Sequence, residues 1–416
     1  MLLITDRKCL GPRFQTTAGI FLALFCLVLR SAAQDTRPDA RYQDPAVPAL
    51  NILYVGMGRF LDETGRGSLH SELENGLFGF LKGEPVGVTL AGQVTEFFRQ
   101  VAATHPELRL RVLDPKKTQI IAETIDHTAF ASLAFDQAAV LESAYRDSLG
   151  ADREIYLSLP LFLVGAKSHE LLYARPIFIR VKLAAGVSPQ DPVVHARILD
   201  EIQRVHEAGA RDARTVAVAR GSLLRGSFRN PNQLTYHFAP DAITFSDKAA
   251  RADTGLRQPA DLVPLLRQAA SHHLARSHRV FPPLKAAASN RLLRELGAPY
   301  FGLEVITDLT ALKGLPYSDS GRLILPVSHS EADIQIKLLV KTGVQFTGES
   351  RDTRLGQCQV ILEALHYNAR KQLLQSNQFI GRPRSFTTHK TLLAPGGESC
   401  LIEAALAATE QLTDGF

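Results

Sequence analysis

The pattern of apolar residues between Glu154 and Leu183 constrains the fold more than any other part of this 416-residue chain. Every odd position in 155–163 is aliphatic, and the odd positions in 171–183 are apolar except for Arg175. Because side chains alternate between the two faces of a strand, each segment has one apolar face. Residues 165–170 predict the turn between them. We therefore expect a long antiparallel hairpin packed on helices; two unrelated buried strands are the alternative.

The turn also predicts the register of the hairpin. If odd positions pair with odd positions, both apolar faces point the same way, and Pro160 lies opposite Pro176. Proline cannot donate to the strand ladder, so each proline must lie at a bulge or where its missing N–H costs no pairing. Arg180 and Lys182 then fall on the opposite, wetter face.

Apolar residues at strand and helix spacing elsewhere in the chain predict an α/β (α+β) fold with a mixed sheet. In 51–183 they predict strands and helices around the hairpin at 154–183. Further along, a second α/β domain is expected. We expect helices at 136–149 and 355–375 and a short strand at 216–219.

The predicted domain organisation follows composition and length. The expected segments are a signal peptide at 1–33, a flexible leader at 34–50, a first α/β domain at 51–190 and a second at 191–416. A polar stretch at 247–258 is a candidate boundary inside the second domain.

The amino terminus predicts export. A positive opening is followed by the apolar run 18–29 and by small residues ending at Ala33, which is typical of a cleaved signal peptide. An uncleaved signal anchor is the alternative. Removing 1–33 takes four basic groups and one acidic group, so the formal net charge of +5 falls to +2. This modest charge argues against nucleic-acid binding. The expected location is periplasmic or secreted, after cleavage near Ala33.

Two cysteines remain after removal of the signal peptide, namely Cys358 and Cys400. In an oxidising compartment they permit one disulfide. Two buried thiols are the alternative.

Three short motifs carry a resemblance to a known family. Residues 60–65 read FLDETG, 109–114 read RLRVLD, and 148–152 read SLGAD before a predicted strand. In these motifs 51–183 resembles the α/β domain of the curli-assembly secretion lipoproteins and the amino-terminal domain of the Tol–Pal periplasmic protein. The chain departs from the curli lipoproteins in lacking their lipidation cysteine. The resemblance implies a role in envelope scaffolding or assembly and no particular reaction.

Two loops are candidate binding sites. Asp62, Glu63 and Thr64 lie in a glycine-flanked loop whose carboxylates could bind a cation or act as acid and base; a solvated turn is the alternative. Arg382 and Arg384 lie in a basic segment that could meet an anionic lipid, glycan or nucleic acid; an ordinary basic loop is the alternative.

No catalytic, cofactor-binding or metal-binding residues are predicted. His272 and His273 point about 100° apart on a helix, so they cannot share one ion without a bend. Ser328 and His329 are neighbours in a predicted strand and face opposite ways. No cofactor is expected.

The sequence thus favours an exported, periplasmic, non-enzymatic protein that acts in envelope assembly or binding, with an envelope protein as partner. A secreted hydrolase with an unrecognised active site is the alternative, and a basic ligand-binding module is a third hypothesis. Nucleic acid is not an expected partner. Membrane contact stays open, without a transmembrane helix in the mature chain.

Overall fold

A computed structural model gives the fold of residues 49–416, which it separates from residues 1–48. The predicted signal peptide and nearly all of the predicted leader lie outside the described residues. The structure describes residues 48–61, 67, 69, 71–114, 125–147, 150–184, 186–228, 233–245, 259–281, 300–307, 318–319, 321–328, 332–389 and 396–413.

Strands and helices are both numerous in residues 49–416, so the predicted α/β class is confirmed. The described strands are β1 (Leu50–Phe60), β2 (Leu110–Val112), β3 (Thr128–Phe135), β4 (Gln137–Asp147), β5 (Gly150–Ser158), β6 (Leu161–Gly165), β7 (Leu171–Arg175), β8 (Phe178–Leu183), β9 (Thr235–Phe245), β10 (Arg279–Val280), β11 (Tyr300–Ile306), β12 (Ser318–Asp319), β13 (Arg322–Ser328), β14 (Ile334–Glu349), β15 (Thr353–Asn368), β16 (Leu373–Ile380) and β17 (Arg384–His389).

Three of the described helices begin at a residue whose side chain caps them. The Ser71 side chain accepts a hydrogen bond from the backbone N–H of Glu74. The Glu74 carboxylate in turn accepts one from the backbone N–H of Ser71, and the two bonds form a capping box. Asp191 and Asp212 cap two later helices through their carboxylates. The helices are α1 (Glu72–Lys82), α2 (Val86–Thr104), α3 (Pro192–Arg211), α4 (Ala213–Leu224), α5 (Pro259–Leu274) and α6 (Gly396–Glu410).

The described strands form three sheets. An eight-stranded mixed sheet has the order β12-β13-β11-β1-β3-β6-β7, with β2 also paired to β1. A six-stranded sheet has the order β10-β9-β14-β15-β16, with β17 also paired to β15, and β4-β5-β8 form a smaller sheet. The pairing of β1 with β11 joins strands from both sides of residue 190. The predicted division into 51–190 and 191–416 stays a prediction.

The predicted hairpin is present, in the predicted register. β6 pairs with β7 and β5 pairs with β8, both antiparallel. The two pairs share one register up to Leu163 opposite Tyr173, and the register shifts by one residue at Val164, next to the turn. The shared register puts Pro160 opposite Pro176. Because proline cannot continue the ladder, the hairpin leaves the eight-stranded sheet at this pair and continues in the three-stranded sheet.

Three predicted elements are wrong in type. The segment predicted as helix 136–149 is strand β4, and the one predicted as helix 355–375 contains most of β15. The segment 216–219, predicted as a strand, lies in α4. Each has a short apolar pattern that fits either period. The segments of β4 and β15 are strands because they pair with β5 and β14. The segment 216–219 is helical because it lies in a helix that Asp212 caps.

Two described hydrophobic cores flank the strands. One lies on a face of the eight-stranded sheet and includes Phe130, Phe162 and Leu303. The other lies between the six-stranded sheet and helices α5 and α6, and includes Leu338, Leu362 and Ala404. The second core fixes the inner face of β14–β15, so the outer face and the edge of that sheet are left for other contacts.

Candidate functional site

The long β14–β15 hairpin is the platform of the candidate site. The even-numbered residues of β14 from Ile334 to Val340 are buried, and the even-numbered residues of β15 from Gly356 to His366 are buried as well. Strand alternation therefore turns the odd-numbered residues outward. The inner face packs on α5 and α6. The outer face carries polar and half-buried apolar residues.

A disulfide and a glycine fasten this sheet to α6. Cys358 of β15 is bonded to Cys400 of α6, with the two Cα atoms 6.0 Å apart. At Gly381, directly after β16, a Cβ atom would overlap the backbone carbonyl of Ala404 in α6. Only glycine fits this approach without displacing backbone. The end of β16 is therefore held tightly against the helix behind it.

Strand β16 is an exposed edge. It pairs with β15 on one side, and no described strand pairs with its other side. Three of its apolar side chains are about half exposed, namely Leu373 at 54%, Leu374 at 56% and Ile380 at 50%. An edge strand turns backbone N–H and C=O groups outward, and natural proteins usually protect such an edge with charges, proline or a β-bulge. The register of β16 against β15 shifts between His366 and Tyr367, at the start of β16. The residues of β16 are all uncharged, and none is proline.

The turn before β16 presents two cations. The Asn368 side-chain oxygen accepts hydrogen bonds from the backbone N–H groups of Arg370 and Gln372, each at 2.9 Å. Lys371 has a φ of 59°, in the left-handed region that L-residues rarely adopt. The Asn368 cap holds this tight turn. As a result, Arg370 and Lys371 are exposed at the start of the edge.

The predicted basic residues lie at the other end of the same strand. Arg382 and Arg384 are both exposed, and Arg384 begins β17, where it lies opposite Cys358 of β15. The eight residues of β16 span about 26 Å. The structure thus puts pairs of cations at both ends of one free edge. Their assignment to a binding site stays a prediction.

The negative charge of the acidic residue beside this edge is already balanced by an ion pair. Glu363 on β15 accepts a hydrogen bond from Lys341 at 2.8 Å and another from Ser376 at 3.0 Å. The hydrogen bond from Lys341 holds the pKa of Glu363 below its usual value. The whole segment 332–389 carries eight Lys and Arg against four Asp and Glu, so the surface around β16 is positive.

The other sequence candidates do not form a described site. Asp62, Glu63, Thr64 and His329 lie outside the described residues, so the loop at 62–64 and the hydrolase hypothesis stay predictions. The Ser328 hydroxyl donates a hydrogen bond to the backbone carbonyl of His169. Among the residues the structure describes, no group of three or more acidic, histidine or cysteine side chains has metal-site geometry.

His272 of α5 supports the hairpin where its two prolines lie. Nδ1 of His272 lies 3.1 Å from the carbonyl oxygen of Pro176 and 3.3 Å from the backbone nitrogen of Phe178. Burial lowers the pKa of His272 to about 3 and that of His273 to about 4. Both rings are therefore neutral near pH 7, and His272 serves backbone groups where the prolines interrupt the ladder.

Sequence reasoning missed the edge because it predicted a helix over most of β15. The basic residues were visible, but their arrangement around one strand depends on the pairing of β15 with β16. A usable signal was the alternation of Cys358, Val360 and Leu362, which fits a strand.

No protein-family model and no curated protein matches the chain. Among solved structures, it is similar to a protein named as a neuraminyllactose-binding hemagglutinin homologue from Helicobacter pylori, with 14% identity and a TM-score of 0.25 over 41% of this chain and 86% of that one. It is also similar to the rare lipoprotein B from Shewanella oneidensis, with 14% identity and a TM-score of 0.13 over 32% of this chain and 84% of that one. Scores this low carry no argument about function. None of the helices described here is long and apolar enough to cross a membrane.

Proposed function

We propose that this chain is an exported, non-enzymatic protein of the cell envelope that acts in assembly or binding. In this proposal it holds an extended, acidic segment of an envelope protein along the free edge of β16. The single observation that carries the proposal is an uncharged, half-apolar edge strand with two cations at each end.

The edge favours a polypeptide as the occupant. An added strand would pair its backbone with the outer side of β16, where no described strand is paired, which is a common mode of peptide recognition. At the end of the strand it would replace Gln411, which donates a hydrogen bond to the carbonyl of Ile380. The half-exposed side chains of Leu373 and Ile380 lie opposite Tyr367 and Ile361 of β15 and would pack against alternate side chains of the partner. A lipid headgroup would use the cations but leave the backbone groups and these leucine and isoleucine side chains unused.

The charges favour an acidic segment. Arg370 and Lys371 would pair with acidic residues at one end of the segment. Arg382 and Arg384 would pair with acidic residues at its other end. Because these four side chains are exposed, each ion pair would contribute little, on the order of 0.5 kcal/mol. Their larger effect would be to select an acidic partner and to fix its position along the strand.

Export supports the same reading. The disulfide between Cys358 and Cys400 fits an oxidising compartment, and the apolar run near the amino terminus predicts passage through a membrane. The resemblance of 51–183 to the curli-assembly and Tol–Pal domains implies an assembly role, and it enters here as part of the proposal.

The first test uses a fluorescent nine-residue peptide, Glu-Glu-Val-Thr-Val-Thr-Val-Glu-Glu, blocked at both ends. We expect saturable binding by fluorescence anisotropy, weakened by added salt because exposed charges are screened. A peptide of identical sequence with alternate backbone nitrogens methylated is the control. It keeps every charge but cannot pair with a strand, so we expect it to lose most of the binding.

The second test changes the protein. The double variant Arg382→Ala and Arg384→Ala should bind the unmethylated peptide about fivefold more weakly, from two exposed pairs at about 0.5 kcal/mol each. The matched control is Arg204→Ala and Arg211→Ala on α3, where both side chains are 75% exposed. Equal binding of the methylated peptide, or equal losses in both double variants, would refute the proposed strand addition.

A further inference from the structure

A cleft separates α2 from α3, away from the β16 edge. Its volume is about 270 Å³. At roughly 30 Å³ per water molecule, this holds about nine waters or one compact organic molecule. Gln93 and Phe97 line it from α2, and Gln203 and His206 line it from α3.

The floor of the cleft contains buried polar atoms without partners. His206 is only 2% exposed, and neither Nδ1 nor Nε2 of its ring has a hydrogen-bond partner in the structure. Oε1 of Gln93 is buried and also lacks one. Buried polar atoms are nearly always hydrogen-bonded, because leaving one unpaired loses its interactions with water. His206 and Gln93 both line the cleft, so their unpaired atoms point to an occupant that pairs with them.

A buried cation lies behind the same floor. Arg175 is 5% exposed, donates one hydrogen bond to the backbone carbonyl of Val205, and stacks over the ring of Phe97 at 5.3 Å. Burial, and secondarily the charge of Arg175, lower the pKa of His206 to about 3. The His206 ring is therefore neutral near pH 7, with one nitrogen that donates and one that accepts.

The rim of the cleft is polar on both helices. Gln100 donates to Glu96 at 3.2 Å on α2, and Gln203 donates to Glu207 at 2.8 Å on α3. The rim therefore offers carboxylate oxygens that accept and amide groups that can donate or accept.

A glycine keeps one wall of the cleft open. Gly92 lies in the middle of α2, where glycine weakens a helix relative to alanine. A Cβ atom at Gly92 would meet nothing within 4 Å, so packing does not require glycine there. Because Gly92 lines the cleft, a large side chain at this position has room to extend over it.

We propose that this cleft binds one compact, neutral, polyhydroxylated molecule of about a dozen non-hydrogen atoms, such as a monosaccharide or a cyclic polyol. A hydroxyl group both donates and accepts, so hydroxyls can satisfy Gln93 and both nitrogens of His206. An aliphatic amine is protonated near pH 7, so it only donates, would leave the His206 N–H unpaired, and is repelled by the charge of Arg175. A carboxylate only accepts, would leave Gln93 unpaired, and meets Glu96 and Glu207 at the rim.

The test titrates the full exported chain with glucose, galactose, mannose and myo-inositol by calorimetry. Putrescine and gluconate represent the amine and the acid. The methyl glycoside of each sugar stands for the end of a glycan. Loss of affinity on methylation assigns a free sugar, and retention assigns a glycan terminus. Long-range ¹⁵N NMR follows the His206 ring, whose nitrogens should shift on binding.

Four variants locate the site. His206→Phe and Gln93→Leu remove the unpaired atoms with little change in volume. Gln93→Leu should weaken binding about tenfold, the effect of one lost hydrogen bond, and His206→Phe, which removes two, should weaken it more than tenfold. Gly92→Leu should abolish binding by filling the cleft. Its matched control is Gly79→Leu in α1, where a Cβ atom also meets nothing within 4 Å, and which should bind as the wild type does.

The outcomes separate the alternatives. Binding of a neutral polyol that Gly92→Leu removes and Gly79→Leu keeps supports the proposal. If no member of the panel shifts the His206 nitrogens at millimolar concentration, the cleft holds water only and the proposal is wrong. Tighter binding of putrescine or gluconate than of every neutral compound overturns the proposed class. Measurements on the wild-type protein, NMR for the first and calorimetry for the second, decide the last two outcomes, so a variant that fails to fold does not affect them.

Discussion

The cross-link between Cys358 and Cys400 gives a stability prediction with a calculable magnitude. The two residues are 42 positions apart, so the bond closes a loop of about that length in the unfolded chain. In the chain-entropy description, closing such a loop destabilises the unfolded state by about 4 kcal/mol at 25 °C. We expect reduction of the disulfide to lower the free energy of unfolding of 49–416 by about this amount.

Reduction isolates the cross-link better than mutation does. Cys358 is 1% exposed and Cys400 is 6% exposed, so alanine at either position would also leave a cavity. Reduced thiols keep both sulfur atoms in the core. Urea unfolding, followed by circular dichroism with and without dithiothreitol, therefore measures the cross-link alone. The double variant Cys358→Ala and Cys400→Ala is the control, and its unfolding curve should not respond to dithiothreitol.

Two results would contradict this reasoning. If the oxidised and reduced proteins differ by less than about 1 kcal/mol, the loop between β15 and α6 is already constrained in the unfolded chain. If the double variant responds to dithiothreitol, the effect does not arise from this cross-link. In the oxidised protein we also expect a smaller dependence of stability on urea, because a cross-linked unfolded chain exposes less surface.

Three further predictions follow from the packing. The pKa of His206 is about 3 in the folded protein and about 6.5 when unfolded. The contribution of the neutral ring to stability is therefore complete above pH 6.5 and falls as the pH drops. Between pH 7 and 5 we expect the wild type to lose about 2 kcal/mol more free energy of unfolding than His206→Phe does, measured by urea titration. Equal losses would contradict that pKa. Gly381→Ala should destabilise by about 1–3 kcal/mol through overlap with the Ala404 carbonyl, whereas Gly343→Ala, with nothing within 4 Å, should not; similar melting temperatures would contradict the close approach. Asn368→Ala should cost about 1 kcal/mol by removing the cap of the β15–β16 turn, and hydrogen exchange at Gln372 should accelerate; unchanged exchange would show that the cap is not needed.

Several features of the fold could be predicted because local pattern and chain connectivity agree. In the hairpin, the apolar odd positions, the short turn and the two prolines all indicate one register, and the structure has that register. The helices α1, α2 and α3 have apolar residues at helical spacing, so the presence of each helix was predictable, although its exact ends were not. The cysteine pair could be named, but its bonding depended on β15 meeting α6.

The candidate sites depended far more on tertiary contacts. Arg382 and Arg384 were visible as a basic segment, but nothing local indicates that Arg370 and Lys371 lie at the other end of the same edge strand. The one sequence signal for the cleft was Arg175, the single charged residue on an otherwise apolar strand face. Its neighbours His206 and Gln93 come from other elements, so sequence periodicity could not connect them.

By itself, the sequence determined the hairpin at 154–183, its register and the pairing of its prolines, because these follow from alternation and from the missing N–H of proline. It did not determine whether β4 and β15 are strands, since a short apolar pattern fits a helix or a strand and only the neighbouring strand supplies hydrogen bonds to one of them. Only the tertiary structure decided that β16 ends a sheet and that α2 and α3 leave a cleft with unpaired polar atoms. Both depend on which elements meet in space, and the energy of those contacts is not encoded in any one segment.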